Sequence, residues 1–469
     1  MATKAKFHAE GVPLVKQIAG WALDFDSAEI PPEVMLQAKL IVLDSIGCAL
    51  AAREEAVYLS AARALNALGG AEECTVIGYP RRVPLTHAVM LNGILIRALD
   101  LNDLYVGPGQ PGHPSDNIAV ALSASEQKGN SGREALASVA LGYEIYCRLL
   151  DVAALGAPWD HVTASALAAP AMAGRLLGLT RDQVANALAL SALHGNTLAA
   201  VRFGQLSNAK AMANAFVAQQ ATLCALLALN GATGPLAVIE GKSGLSHAFL
   251  AGADLAALVA PVKDRFKLME ASIKAYPCIG TAQAMISGVL RARAGIQDPS
   301  KEIQQVELRM ADIPFVRGQI EDSDRRWPAS RETADHSFYY LAAVALLDDE
   351  LGPCQFEDDR WLEPATRAMM DRIVIRADPD LNGYTPGSYP CVVRVVLEGG
   401  RDRTVEVFYP AGHPRNPLSS AGVEAKFRNS TRSVISKERQ SAIISKVEDL
   451  DKLASMRDLM RDLVPGDGS

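Results

Sequence analysis

Cysteine is scarce and scattered in this chain. Seven occur in 469 residues, at positions 48, 74, 147, 224, 278, 354 and 391, with no CxxC and no Cys/His cluster at metal-ligand spacing. That pattern excludes a zinc-finger type of centre and weighs against an iron–sulfur cluster, which needs several thiolates close together. An odd, dispersed set in mostly apolar surroundings predicts reduced, buried thiols in a cytosolic protein. A basic excess is also missing: the net charge is −7, which argues against a nucleic-acid partner. It leaves room for an anionic small substrate, because a site needs only a few local cations. The phosphate-binding and hydrolase motifs are absent too, with no Walker loop, no GxGxxG following a strand, no HExxH and no GxSxG. The N-terminal "MATKAKFHAEGVPLVKQ" has no signal-peptide apolar core, and the apolar runs read as interrupted by Gly, Pro or charge before reaching a membrane span. The expectation is a soluble, cytoplasmic protein without a membrane partner.

What is present is a great deal of ordinary helix. Hydrophobic residues make up 49% and charged residues 21%, as in a compact protein, and the length suggests two or three domains at roughly 100–200 residues each. Residues 12–260 read as successive helices. "PPEVMLQAKLIVLDSIGCALAA" starts with Pro just inside a helix and carries apolar residues at 3–4 spacing. "TRDQVANALALSAL" opens with Thr180 and Gln183 at capping-box spacing, and "SNAKAMANAFVAQQATLCALLALNG" ends at Asn230–Gly231, a normal stop. After about residue 265 the texture changes. "EIQQVELRM", "DRIVIRA", "CVVRVVLE" and "RTVEVFYP" alternate and are rich in β-branched residues, and the last two are joined as a hairpin by "EGGRD". One helix, "ETADHSFYYLAAVALLDDE", falls between strands. From about 419 the pattern returns to helix. The predicted architecture is mainly α with a smaller α+β domain: a helical domain over 1–265, an α+β domain over 266–415, and C-terminal helices over 416–469 that return to the helical domain.

Against this background, polar groups dropped into apolar helix stand out. The first is "IRALDLNDLYVGPGQPGHPSDN", residues 96–117, with Arg97, Asp100, Asp103, His113, Asp116 and Asn117. If the helix continued, Asp100 and Asp103 would share a face; the spacing leaves open both a capped helix end and a site. His161 lies at a helix entry in "PWDHVTASA". Arg202, Ser207 and Lys210 follow in "VRFGQLSNAKAMANAF", where Ala209, Ala211 and Ala213 predict a buried Lys210 that needs a partner. "KAYPCIGTAQ", "TADHSFYY" (Asp335–His336) and "YPAGHPRNPLS" (His413, Arg415) complete the set. Together these are His, Lys, Arg and Asp without a metal-ligand pattern, suited to general acid/base work on an anionic substrate.

The ordered run "LDSIGCALA", "LNGILIRALDLND", "GHPSDN", "WDHVTASA", "VRFGQLSNAK…GATGP…EGKSG", "YPC…Q", "YPAGHPRNPLS", "VEAKFR" resembles the MmgE/PrpD family across about residues 12–430. That family includes 2-methylcitrate dehydratase, cis-aconitate decarboxylase and iminodisuccinate epimerase. The resemblance implies a large helical domain with a smaller α+β lid, a homodimer, and chemistry on a small anionic polycarboxylate with no metal and no organic cofactor. It implies a hydro-lyase dehydrating a 2-methylcitrate-like acid, as in propionate catabolism, with decarboxylation, epimerisation or a non-catalytic binding role as alternatives. Carried over by position, it makes Asp103, His113, His161 and Lys210 catalytic and Arg97, Asn117, Arg202, Ser207 and Gln283 substrate-binding. Asp103 is expected to orient one histidine. Where relatives often place a lid histidine after "YP", this chain has "CIGTAQ", offering Thr281 and Gln283.

Overall fold

A computed structural model describes residues 11–153, 158–248, 250, 253–262 and 265–464. The helical part begins with α1 (Leu14–Asp24), α2 (Pro32–Ala51) and α3 (Ala56–Leu68). A short hairpin, β1 (Cys74–Thr75) with β2 (Arg82–Val83), leads into α4 (Leu85–Arg97). Pro32 occupies the first turn of α2, where its missing N–H costs nothing. Next come β3 (Leu104–Val106) and β4 (Pro111–Gly112), then α5 (Ile118–Lys128), α6 (Gly132–Val152), α7 (Ser165–Leu177), α8 (Arg181–His194) and α9 (Ala209–Leu229). The capping box at Thr180 and Gln183 forms as expected. Chain α9 ends at Asn230, with Gly231 in the left-handed region.

β5 (Ala271–Ser272) pairs with β3 on the edge opposite β4. After it, α10 (Gln283–Arg293) precedes a four-stranded sheet made of β6 (Ile303–Ala311), β7 (Ile373–Asp378), β8 (Cys391–Leu397) and β9 (Asp402–Val407), in the order β7-β6-β8-β9. β6 and β7 are parallel and the other pairs antiparallel, with Leu308 opposite Ile375 on one side and Val393 on the other. One face of the sheet packs on α10, which lies close enough to β8 that a Cβ at Gly288 would sit 2.7 Å from Val393. α11 (Phe338–Asp348) is fully apolar along its buried length. The helix predicted over 332–350 is broken: a single turn at Arg331–Ala334 ends before α11 begins, because Ser337 caps α11 by accepting from the Tyr340 N–H. Asp335 and His336 occupy the break.

α12 (Ser420–Thr431), α13 (Lys437–Glu448) and α14 (Met456–Asp462) return to the helical part. Val423, Phe427, Ile443 and Leu459 join the same buried cluster as α1–α9, while a second cluster runs from Cys278 to Val407. The fold is therefore mainly helical with a smaller α+β portion.

One reading from composition needs correcting. α2 and α9 are both long and apolar enough to cross a membrane, and residues 211–229 of α9 contain no Gly, Pro or charge. Most of α2 is buried in the helical core, whereas α9 is only about half covered: it packs on α4, α7 and α8, and Phe216, Leu223 and Leu227 remain exposed. Of the seven cysteines, all free, only Cys354 is exposed.

Candidate active site

The unusual stretch 96–117 is a helix end followed by a hairpin, not a continued helix. α4 stops at Arg97, and Asp100 takes a left-handed backbone (φ 50°), a conformation Asp tolerates better than most residues. Asp100 and Asp103 therefore do not share a helix face. The "GPGQPG" segment is the turn between β3 and β4, and it lies directly on the C-terminal end of α6. The Gln110 N–H donates to the Leu150 carbonyl at 3.0 Å, and a Cβ at Gly109 would fall 2.0 Å from that carbonyl oxygen. At Gly112 a Cβ would meet Leu150 at 2.5 Å and the Tyr146 hydroxyl at 2.8 Å. Glycine is required at both because the backbone approaches so closely, and the reward is that His113, the next residue, is set firmly against α6.

His113 and His161 form the first half of the site. Their rings meet edge to face with centroids 5.3 Å apart. His113 Nδ1 lies 2.6 Å from the Asp103 backbone carbonyl, which can only accept, so the neutral ring carries its proton there and its Nε2 lone pair is left available. Burial, reinforced by Arg97 and Lys274, holds His113 well below the usual imidazole value. His161 is pushed down to about 3, mainly by burial. Its Nε2 faces Arg202 Nη2 at 3.3 Å, and because a guanidinium only donates, that nitrogen accepts and Nδ1–H points to the Tyr146 hydroxyl 2.9 Å away. Arg202 in turn holds Asp160 in a two-pronged pair at 2.8 and 3.1 Å. Asp160 also caps the turn that starts at His161.

The carboxylate of Asp103 does not orient either histidine, contrary to expectation. Its oxygens accept from Tyr143 Oη at 2.7 Å and the Ser115 N–H at 3.2 Å; only its main-chain carbonyl reaches His113. Burial raises the Asp103 carboxyl to about 6 despite those two donors. Asp116 is raised to about 7, burial outweighing the pull of Arg97. Asp116 Oδ1 accepts from Asn102, while Oδ2 is buried without a partner.

Lys210 belongs to a second group, built where the break before α11 meets α9. Its ammonium lies 3.0 Å from Asp335 Oδ1, 3.2 Å from Asp100 Oδ2 and 3.2 Å from His336 Nδ1. Asp100 also accepts from Arg97 at 2.7 Å and from Lys274 at 2.5 Å. Burial drives the Asp100 carboxyl up, but Arg97, Lys210, Lys274 and His336 together outweigh it and hold it well below the usual range. Asp335 is likewise held low against its burial by Lys210 and His336. Lys274 is lowered by burial in spite of Asp100, and His336 is brought to about 4 by burial and Lys210. Arg97 joins the halves, bonding Asp100 and lying 3.9 Å from Asp116. Its Nε has no hydrogen-bond partner.

Of the substrate contacts expected from sequence, Arg97, Asn117 and Arg202 lie within or beside this assembly. Asn117 is buried, donates to the Pro114 carbonyl and leaves its Oδ1 without a partner. Ser207 and Gln283 are corrections. Ser207 is exposed and contributes only its carbonyl to the first turn of α9. The Gln283 amide is spent on the turn 275–278, accepting from the Ala275 and Tyr276 N–H groups and donating to the Tyr276 and Cys278 carbonyls. It braces the loop carrying Lys274. His413 is similarly occupied, with Nε2 on the Gly387 carbonyl and Nδ1 accepting from the Arg415 N–H.

Sequence reasoning missed Lys274, Tyr143, Tyr146 and Asp160 as site residues. Lys274 had a usable signal, a lysine immediately before "AYPC" amid apolar residues, of the same kind that exposed Lys210. The two tyrosines had none, since a tyrosine in an Ala/Leu helix reads as core.

Asp100, Asp335 and His336 bring ligand-type atoms within 4.8 Å of one another. Lys210 already sits between the two carboxylates, and a divalent cation there would have to displace it and face Lys274 and Arg97. The donor set fits an ammonium, not a metal. The result is a buried acid/base centre: one imidazole with a free lone pair, a second imidazole linked to a tyrosine, and the cations Arg97, Arg202, Lys210 and Lys274 beside them.

Residues 16–258 match the MmgE/PrpD N-terminal domain and residues 276–452 the MmgE/PrpD C-terminal domain, and the chain belongs to the MmgE/PrpD family. It is similar to cis-aconitate decarboxylase of Mus musculus, 25% identical over 91% of this chain and 88% of the relative. The Homo sapiens cis-aconitate decarboxylase is 26% identical over 90% and 88%. The 2-methylcitrate dehydratase of Cupriavidus necator is 25% identical over 89% and 90%.

Proposed function

We propose that the protein is a lyase acting on a small polycarboxylate, and specifically a hydro-lyase that removes water from a 2-methylcitrate-like hydroxy acid. The observation that carries this is His113: its proton is fixed on Nδ1 by the Asp103 carbonyl, so an uncharged Nε2 base stands ready at neutral pH. In the proposed step, His113 Nε2 takes the proton from the carbon next to a carboxylate. The electron pair forms the C=C bond as the hydroxyl on the neighbouring carbon leaves, protonated to water. A C–H beside a carboxylate is a very weak acid, so the doubly charged, enolate-like carboxylate must be stabilised as it forms. Lys210, Lys274 and Arg97 supply that stabilisation, and the unpartnered Nε of Arg97 gives it a free donor. The departing hydroxyl takes its proton from the imidazolium that His113 becomes on abstracting the C–H proton, which returns that ring to its neutral form, with the His161–Tyr146 pair packed beside it.

Decarboxylation is the second reading, favoured by the relatives named cis-aconitate decarboxylase. It needs the same cations but an acid, not a base, at the carbon that loses CO2. Purified protein mixed with 2-methylcitrate, citrate and cis-aconitate separates the readings by ultraviolet absorption of the conjugated alkene. Gain of signal from a hydroxy acid supports dehydration. Loss of signal from cis-aconitate with CO2 release supports decarboxylation, and silence on all three refutes both.

Three further expectations belong to this proposal. The division into a helical part and an α+β part is supported by the two separate buried clusters; the first runs on through Ile273 and the second spans Cys278 to Val407, which moves the first boundary from 265 to about 275. A homodimer is supported by the exposed apolar stripe of Phe216, Leu223 and Leu227 on α9; a Phe216→Asp variant should run as a monomer by light scattering. Cytoplasmic location is an expectation supported by the seven free cysteines, six of them buried.

A further inference from the structure

We infer that the protein carries a second anion-binding site, remote from the lyase centre, for a compact multivalent oxyanion. A cavity of about 720 Å³ lies between the β1–β2 hairpin and the C-terminal helices α13 and α14, within the size range of small-ligand sites. Arg81, Arg82, Arg439, Arg457 and Arg461 line it, and Asp462 is the one acidic side chain in its wall. That clustering is anomalous in a chain whose net charge is −7.

The carboxylates nearby do not cancel it. Glu126 is paired with Arg82 at 2.9 Å, Asp458 lies 3.4 Å from Arg461, and Asp462 is already bound to Lys446. Arg81, Arg439 and Arg457 have no carboxylate partner among the described residues. Two of these three are held rigidly by neutral backbone. Arg457 donates from Nε and Nη2 to the Glu126 and Gln127 carbonyls at 3.0 and 2.8 Å. Arg439 donates from Nε and Nη2 to the Asp462 carbonyl at 3.2 and 2.9 Å. Carbonyls fix a guanidinium's position without neutralising its charge, and each guanidinium keeps further N–H donors for another acceptor. The Arg81 side chain makes no hydrogen bond or ion pair among the described residues; only its backbone carbonyl is used, accepting from the Val76 N–H, so its whole fork is free. Three uncompensated guanidiniums around one cavity, two of them held in place and the third free to close on a ligand, match a compact anion with two or three negative charges, whether phosphate ester or polycarboxylate.

The test is calorimetric titration of the full-length protein at low salt with pyrophosphate and, separately, citrate. It is run on wild type, on Lys210→Ala to disable the lyase centre, and on Arg81→Ala, an exposed position whose loss spares the fold. Saturable binding of either probe that survives Lys210→Ala and weakens about tenfold in Arg81→Ala supports the site. Arg439→Lys, which keeps the charge but loses the fork, should also weaken it. Binding of pyrophosphate alone identifies a phosphorylated ligand, and of citrate alone a polycarboxylate. The inference is overturned if neither probe binds, if Arg81→Ala leaves the affinity unchanged, or if Lys210→Ala abolishes it. These outcomes are independent of whether the lyase reaction is found.

Discussion

Replacing Lys210 by Met keeps the aliphatic stem and removes one charge from the most crowded part of the molecule. Lys210 Nζ is within 3.2 Å of both Asp100 and Asp335, and all three side chains are almost completely buried, so solvent screening does little to soften the loss. Removing one partner of a buried ion pair typically costs about 3–5 kcal/mol, because the remaining charge is left uncompensated. Here Asp100 retains Arg97 and Lys274, while Asp335 keeps only the longer contact to Arg331 at 3.5 Å, so the cost falls mainly on Asp335 and sits at the low end, about 3 kcal/mol. The sign with pH follows from the depressed carboxyls. Asp100 and Asp335 are held below the ordinary value of 3.8 in the folded protein. Their stabilisation is therefore present above that value and is lost as pH falls through the folded one. Wild type and variant should thus differ most at pH 7, and the gap should close only as pH falls below 3.8 through the folded values. Turnover should drop about 10²–10³-fold, the usual effect of removing one donor from a developing oxyanion. Urea unfolding and alkene formation are the two readouts. Adding Asp335→Asn to Lys210→Met should restore much of the stability but none of the turnover, since it removes the under-compensated charge, left with Arg331 alone, without replacing the cation. Full turnover in Lys210→Met, or no rescue of stability by Asp335→Asn, would refute the reasoning.

Other consequences can be checked with the same assays. Because His113 and His161 are both held well below 6.5, kcat/KM should show no histidine-like loss between pH 7 and 5; a fall centred near 6.5 would contradict the burial argument. Asp103 and Asp116 have raised folded values of about 6 and about 7. Their contribution to stability is full below 3.8 and lost as pH rises through those values, so Asp116→Asn should unfold at higher temperature than wild type at pH 8 and lose that advantage at pH 5. Tyr143→Phe removes a donor from the Asp103 carboxylate and should cost about 1–2 kcal/mol at pH 8 by urea unfolding, with less effect at pH 5. EDTA should leave turnover unchanged, since Lys210 already bridges the carboxylates of the Asp100, Asp335 and His336 cluster; restoration of lost activity by a divalent metal would argue otherwise.

Helices and strands were largely legible because their signals are local. The capping box at Thr180, the proline at the start of α2 and the alternation of β6 and β8 each need only a few neighbours to be read. Lys210 was legible for a similar reason, since a charge among alanines implies a partner. The partner itself was not: Asp335 is 125 residues away. Its exposure to Lys210 depends on a helix breaking at Ser337, where periodicity alone runs straight on. The Gly/Pro turn at 107–112 was visible as a bend, but the need for glycine comes from the end of α6, contributed by residues about 40 positions further on. Gln283 failed in the opposite direction, its polar amide suggesting a ligand when its true partners are its own backbone neighbours.

The grip of Asp335 and His336 on Lys210 has a consequence for how substrate enters. Lys210 is anchored on α9, within the larger buried cluster, and the other two come from the segment that opens the smaller one. A substrate carboxylate that takes Lys210 competes with Asp335 for the same ammonium, so filling the site loosens the clasp between the two bodies. By reciprocity, anything that prises them apart must raise the affinity of Lys210 for an incoming carboxylate by the same factor. Ligand capture and the seam's tightness are then a single equilibrium, set by how well an external anion outbids an internal one.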